Sequence, residues 1–250
     1  MARLIHKINP TYKKKHKHTG FSLIELSVVM IIVALVISGI VASQSLTHTS
    51  KLVMLIKDFR QFEHGIADFY DRHHYLPGDI TAPPAGYAGP ELCSGACYGD
   101  GSGTLTRAEA LNAWIHLSKE GTLTGTRVNG TENGTAALIG ENMPDGPLTG
   151  GGYDILTGVF ADRSGVFIRA ARRSANPAGN LLDGALVTTH DAIMLDQKID
   201  DGLPERGRFG AQNGYGVTTC ILAVSSPTTY LLTSDSESCT LLYWAEVQVD

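Results

Sequence analysis

Hydrophobic positions run almost unbroken from Phe21 to Ala42, and the pattern then changes to a spaced one. The first stretch, 22 residues interrupted only by serines, one glycine and Glu25, predicts a helix of about 30 Å at 1.5 Å per residue, enough to cross the hydrocarbon core of a bilayer. Beyond it Leu52, Leu55, Ile56, Phe59, Phe62, Ile66, Phe69 and Tyr70 recur at three- and four-residue steps, with Lys51, Lys57, Asp58, Arg60, Glu63 and Asp68 between them. That period predicts an amphipathic helix. No proline interrupts residues 21–76. The two stretches therefore read as one nearly continuous helix from about Phe21 to Arg72 or His74, ended by Tyr75-Leu76-Pro77-Gly78. From Thr81 onward the chain is glycine-rich and weakly periodic. Short helices are expected at Arg107–Lys119 and Asp191–Ile199, the second started by Asp191 and stopped by Gly202. Strands are expected at Gly158–Ala161, Val166–Ala170, Leu186–Thr188, Thr218–Val224, Tyr230–Thr233 and Leu241–Val249. The expected fold class is α+β, a long N-terminal helix laid on an antiparallel sheet with extended loops.

Charge separates the ends of this plan. Residues 1–20 carry Arg3, Lys7, Lys13, Lys14, Lys15 and Lys17 and no acid, which leaves 14 basic against 25 acidic side chains, a net of −11, for the rest. A basic segment directly before an apolar run reads as the cytosolic flank of a membrane helix. The acidic remainder argues against a nucleic-acid-binding role for the body as a whole. An ordinary secretory signal has a shorter apolar region and a small-residue cleavage site beyond it. Here Thr19-Gly20 lies on the basic side instead. Glu25 is the anomaly, because an ionisable group inside a membrane helix costs about 2.5–3.5 kcal/mol without a partner.

The segment Lys17-His18-Thr19-Gly20-Phe21-Ser22-Leu23-Ile24-Glu25-Leu26 resembles the processing signal of type IV pilins and type II secretion pseudopilins. In that family a basic leader ends in Gly, Phe follows, and an acid stands at the fifth mature position. The resemblance implies cleavage between Gly20 and Phe21 by a prepilin peptidase, N-methylation of Phe21, and pairing of Glu25 with the new terminal amine of a neighbouring subunit. It also implies other pilins or pseudopilins and the inner-membrane assembly platform as partners. The expected organisation is a leader over 1–20, a transmembrane and filament-core helix over 21–42, its amphipathic continuation over 43–76, and a periplasmic or extracellular body over 77–250. A mature chain of about 230 residues is large for a main repeating subunit, so the expected role is that of a minor pilin or pseudopilin, structural and not enzymatic. The competing expectation is a calcium-dependent binding module or enzyme that uses the helix only as a tether.

Four cysteines, Cys93, Cys97, Cys220 and Cys239, admit three pairings, of which local bridging of 93 with 97 and of 220 with 239 is the simplest. Disulfides suit an exported domain. The run from Tyr98 to Glu109 resembles an EF-hand loop and makes Asp100, Ser102 and Glu109 calcium candidates. Its first position, normally Asp, is Tyr98, so the ligand set is short of a carboxylate. The alternative is a glycine-rich turn in which Thr106 and Glu109 form a capping box for the next helix. No cofactor is established by the sequence, with Ca2+ the one expectation. His64, His73, His74, Asp68 and Asp71 lack a placed third ligand and read as solvated helix-end residues. There is no phosphate-binding Gly-x-x-x-x-Gly-Lys-Ser/Thr, His-Glu-x-x-His or Gly-x-Ser-x-Gly motif, which removes a motor ATPase role.

Overall fold

The structure, a computed structural model, describes residues 20–81, 97–123, 138–160, 163–174, 182–222, 228–233 and 235–247. The chain divides into two units, 1–47 and 48–250. Helix α1 (Leu23–His73) contributes to both. In the first unit its side chains are exposed throughout, and it is long and apolar enough to cross a membrane. Its few hydroxyls are satisfied locally: Ser27 donates to the Ile24 carbonyl at 2.8 Å, Ser38 to Leu35 at 2.9 Å and Thr47 to Ser43 at 2.9 Å. Such back-bonding lowers the cost of placing serine and threonine in an apolar medium.

The second unit is built on the rest of α1. Leu52, Leu55, Phe59, Phe62, Ile66 and Phe69 are all buried, and their alternating three- and four-residue spacing lines them along one stripe. The helix ends where His74 enters the left-handed region, φ 57°, donating its N–H to the Tyr70 carbonyl at 2.8 Å before the turn at Pro77. The α+β reading holds: α1 is followed by α2 (Arg107–Lys119), then by an antiparallel sheet of β1 (Gly151–Phe160), β2 (Arg163–Arg172), β3 (Val187–Thr188), β4 (Phe209–Asn213) and β7 (Glu237–Ala245). Helix α3 (Thr189–Ile199) follows β3, and β5 (Ile221–Leu222) with β6 (Thr229–Tyr230) makes a separate small ribbon.

Strand β7 organises the sheet, pairing with β2 along one edge and with both β3 and β4 along the other. Strand alternation sorts the side chains. Tyr153, Ile155, Val166, Ile168, Leu241, Tyr243 and Phe209 share one face and join the core with α1, while Asp154, Phe167, Arg169, Leu242 and Trp244 take the other. The ring of Phe59 sits among Tyr153, Phe209 and Tyr243 at centroid distances of 5.7, 6.0 and 5.3 Å. Phe62 bridges Trp114 of α2 and Tyr153 at 4.9 and 4.8 Å.

Several expected elements change extent. The strand expected over Gly158–Ala161 is the far end of β1, which begins at Gly151. Strand β4 was not expected at all, and its Gly210 is required by close approach, since a Cβ there would lie 2.2 Å from the Pro204 carbonyl oxygen. The segment expected over Thr218–Val224 forms only the two residues of β5, with 223–227 outside the described residues, and Tyr230–Thr233 contracts to β6. Strand β7 starts four residues before Leu241. Helix α3 starts at Thr189 rather than Asp191, because Thr188 is the cap and its hydroxyl accepts the Asp191 N–H at 3.1 Å. Cys220 and Cys239, both fully buried, form a disulfide with Cα atoms 5.1 Å apart. Cys93 lies outside the described residues, and so does its pairing with Cys97.

A buried acid marks the junction of α3 with the small ribbon. Asp196 accepts the Tyr230 hydroxyl at 2.6 Å and the Gly202 N–H at 3.2 Å. Burial pushes its carboxyl up to about 7, the Tyr230 and Gly202 hydrogen bonds oppose the shift, and the charges of Asp201 and Asp200 add to it. A raised folded-state value means that the native state holds a proton the unfolded chain has lost, so stability falls as pH rises from about 4 to 7. Asp196→Asn is expected to remove that slope and to gain on the order of 2 kcal/mol over the wild type at pH 8. Urea unfolding of both proteins between pH 4 and 8 measures it, and parallel curves would contradict the assignment.

Candidate functional site

Two clusters of functional interest emerge, one in each unit. In the first, Gly20 and Phe21 precede the helix and Phe21 is 81% exposed. The Leu26 N–H bonds to the Ser22 carbonyl at 3.1 Å, which fixes the first turn of α1. Glu25 stands in that turn. The uncompensated N–H groups of a helix start favour an anion there, a contribution of about 0.3–1 kcal/mol. That partly offsets the cost of an acid beside an apolar run. Among the described residues Glu25 has no ion-pair partner, and it is exposed.

The second cluster lies where the end of α1 meets the start of α2. Thr106 caps α2 and completes a capping box with Glu109: the Thr106 hydroxyl accepts the Glu109 N–H, and the Glu109 carboxylate accepts the Thr106 N–H at 2.7 Å. Carboxylate oxygens of Asp79, Asp100 and Glu109 come within 4.8 Å of one another. Asp79 was not among the expected residues, while Ser102 leaves the group and turns its hydroxyl to Thr104. Asp79 and Glu109 are buried while Asp100 is exposed. Asp79 accepts N–H bonds from Gly101 at 2.8 Å, Ser102 at 3.2 Å and Gly103 at 2.7 Å. Glu109 also takes the Asp100 N–H at 3.3 Å, and Asp100 takes that of Ser102 at 3.0 Å.

Hydrogen bonding and burial pull these acids in opposite directions. Burial raises the Asp79 carboxyl above its usual range, the Gly103 and Gly101 N–H bonds work against the shift, and the Glu109 charge adds to it. Hydrogen bonds from Ser102 hold exposed Asp100 low. Backbone N–H groups bond to all three acids, which holds the loop as a structural knot, and the three carboxylates remain close enough to one another to share a cation. Gly78 makes the knot possible. Its φ of 91° and a Glu109 carbonyl 2.1 Å from where its Cβ would stand exclude any side chain.

His116 anchors the same corner, and nothing in the linear pattern marks it beyond its place on a short helix. Its Nδ1 accepts the Gly78 N–H at 2.8 Å, inside the core. Burial pushes its value down to about 4 against a hydrogen bond to the Cys97 backbone, with the charge of nearby His73 adding to the depression. The imidazole is therefore neutral at physiological pH and acts as a cross-link. His73, a residue of the histidine group in the sequence, bonds Glu120 at 2.9 Å, and Arg72 bonds the other Glu120 oxygen at 3.0 Å. These contacts fasten α1 to the end of α2.

Residues 15–41 match the family model described as the prokaryotic N-terminal methylation motif. The chain carries a type IV pilin-like prepilin signal. No curated protein and no solved structure matches the chain. The prepilin signal spans the end of the basic leader, the Gly20-Phe21 junction, Glu25 and most of the exposed apolar part of α1. Signal and helix together fit a membrane-anchored, pilin- or pseudopilin-like protein, and a prepilin signal implies processing by prepilin peptidase and assembly with other pilins.

Proposed function

We propose that this chain is a minor pilin or pseudopilin, a non-enzymatic structural subunit of a type IV pilus or type II secretion-type filament. The observation that carries the reading is the coincidence of the methylation motif at residues 15–41 with a helix exposed along its whole first half. Prepilin peptidase cuts between Gly20 and Phe21, and Phe21 is then N-methylated. Before assembly the subunit sits in the bacterial inner membrane as a single pass, with its basic leader cytoplasmic and its body periplasmic. In the filament the Glu25 carboxylate meets the Phe21 amine of a neighbour. Two opposite charges that neutralise each other in a low-dielectric medium relieve the penalty each bears alone. Cleavage therefore also creates the cation that Glu25 needs.

Two measurements test this. Intact-mass and peptide spectrometry of the protein purified from its host is expected to show a mature terminus at Phe21 carrying one methyl group, and a terminus beyond Ala42 would refute the proposal. Glu25→Ala is expected to reduce incorporation into filaments at least about tenfold, equivalent to roughly 1.4 kcal/mol, with membrane insertion unchanged. Undiminished incorporation would refute the pairing.

A further inference from the structure

The small ribbon is fastened differently along its two strands. Strand β5 is tied to the sheet: the Cys220 and Ile221 N–H groups bond to the Asn213 side-chain oxygen at 2.9 and 3.1 Å, and Cys220 is joined covalently to Cys239 of β7. Strand β6 pairs with β5 alone among the described strands, and the Leu231 N–H next to it donates to the Cys220 carbonyl at 2.9 Å. So short a pairing does not hold by itself. What keeps β6 down is the Tyr230 side chain, whose ring packs against the core and whose hydroxyl reaches Asp196 of α3 at 2.6 Å, together with the Thr228 hydroxyl on Glu205.

Asp196 is an acceptor whose charge works against that contact. It is fully buried, it takes the Tyr230 hydroxyl and the Gly202 N–H, and among the described residues it makes no ion pair. A carboxylate buried without a counter-charge is costly. It also stands in the last turn of α3, where the unpaired carbonyls of a helix end disfavour an anion, and the charges of Asp200 and Asp201 add to the penalty. The surrounding elements bring no relief. Strands β3 and β4 carry no ionisable side chain, Glu237 of β7 is held by Arg172, and Tyr243 of β7 donates to Glu63. His48 of α1 bonds Asp191 at the other end of α3, Arg208 is taken by Glu63, and Lys198 is exposed.

We propose that β6 is a pH-operated strap, docked on α3 while Asp196 carries its proton and released, with the rest of the body folded, when Asp196 ionises. The neutral acid accepts the Gly202 N–H on one oxygen and shares a hydrogen bond with the Tyr230 hydroxyl through the other, with no charge to desolvate. The ionised acid gains water only when Tyr230 leaves. Docked, the carboxyl titrates at about 7, and released it returns to about 4. The docked form thus holds a proton that the open form has lost, so the open fraction rises about tenfold per pH unit between about 4 and 7 and levels off above. Acid locks the strap and neutral medium loosens it.

Amide hydrogen exchange tests this, because it reads a local opening even when the open form is a small fraction. Full-length protein in detergent is exchanged at pH 5 and pH 7, each rate is divided by the intrinsic rate at that pH, and residues 228–233 are compared with β2. At pH 7 the 228–233 segment is expected to open at least about tenfold more often than β2, and its opening is expected to rise at least about tenfold from pH 5 to pH 7. The Asp196→Asn amide accepts from Gly202 and donates to the Tyr230 oxygen at every pH, so this variant is expected to abolish the rise. Tyr230→Phe keeps the ring and removes the hydroxyl, and is expected to raise the opening at pH 5 about fivefold. Equal protection of 228–233 and β2 would mean that only whole-body unfolding occurs, and would overturn the strap. An undiminished rise in Asp196→Asn, or wild-type protection in Tyr230→Phe at pH 5, would overturn it too. If Asp196→Asn does not fold, the wild-type comparison and Tyr230→Phe decide. The filament reading does not depend on the outcome.

Discussion

Phe59→Ala is expected to lower the stability of the body by about 3–5 kcal/mol, measured as a fall in the urea midpoint at unchanged slope. Phe59 is fully buried and its ring touches Tyr153 of β1, Phe209 of β4 and Tyr243 of β7. It is the point at which α1 holds three strands at once. Truncation removes the transfer free energy of the ring and leaves a cavity that these three aromatic neighbours cannot close. Two of those neighbours are also fixed at their far ends: the Tyr153 hydroxyl donates to Asp58 at 2.7 Å and the Tyr243 hydroxyl to Glu63 at 2.9 Å, so collapse into the void would strain hydrogen bonds. Val53→Ala on the exposed side of the same helix, where Val53 is 50% exposed, is expected to change stability by less than about 0.5 kcal/mol. A similar loss at both positions would contradict the packing of α1 on the sheet.

The Phe59 stripe was legible in the sequence because a helix repeats its buried face every three or four residues, and nothing between Leu52 and Phe69 interrupts the repeat. Helix α2 was legible for a related reason: Thr106 and Glu109 satisfy its first N–H groups with side chains adjacent in sequence. The prepilin signal is likewise a linear pattern, complete within one short segment. The sheet was read poorly, and its residues show why. Strand β1 opens with Gly151-Gly152 and buries Asp154 on the face where alternation with Tyr153 and Ile155 reads as a solvated position. Its partner position on β2 is Arg169, so two charges that cancel in space look like two surface positions in the sequence. Strand β4 reads Phe-Gly-Ala-Gln-Asn and is held by close approach of Gly210 to Pro204 rather than by bulk.

The same physics explains the candidate site. Asp100 and Glu109 were visible as a spaced pair, but Asp79 joins them from 21 residues before Asp100, and the N–H bonds it accepts from Gly101, Ser102 and Gly103 close a loop that no local pattern announces. The calcium reading had Asp100 and Glu109 but neither Asp79 nor the N–H donors that bond to the acids. Ser102, expected as a ligand, turns away because its hydroxyl finds Thr104 two residues on. His116 was missed for the opposite reason, since a buried neutral imidazole bonded to backbone on both sides leaves no trace in charge or spacing.

Arg169→Met is the sharper test of the sheet. Arg169 holds Asp154 in a two-point contact, Nε to Oδ1 at 3.1 Å and NH2 to Oδ2 at 2.5 Å, with the Leu182 N–H completing the shell at 3.1 Å. Burial keeps the Asp154 carboxyl above its ordinary value, opposed chiefly by the charge and hydrogen bonds of Arg169. Removing only the arginine leaves a buried acid without its counter-charge, and a loss of about 3–5 kcal/mol at pH 7 is expected. The acid has an escape, because it can take a proton. Without Arg169 its value moves further up, so the variant's deficit is largest at neutral and higher pH and shrinks as pH falls toward 4. A second substitution separates loss of a pair from loss of a side chain. Asp154→Leu combined with Arg169→Met removes both charges at similar volume and is expected to recover most of the stability, since a buried pair does little better than well-packed apolar groups. If the single variant loses less than 1 kcal/mol at pH 7, or the double variant is as unstable as the single, Asp154 is not held as a buried anion by Arg169.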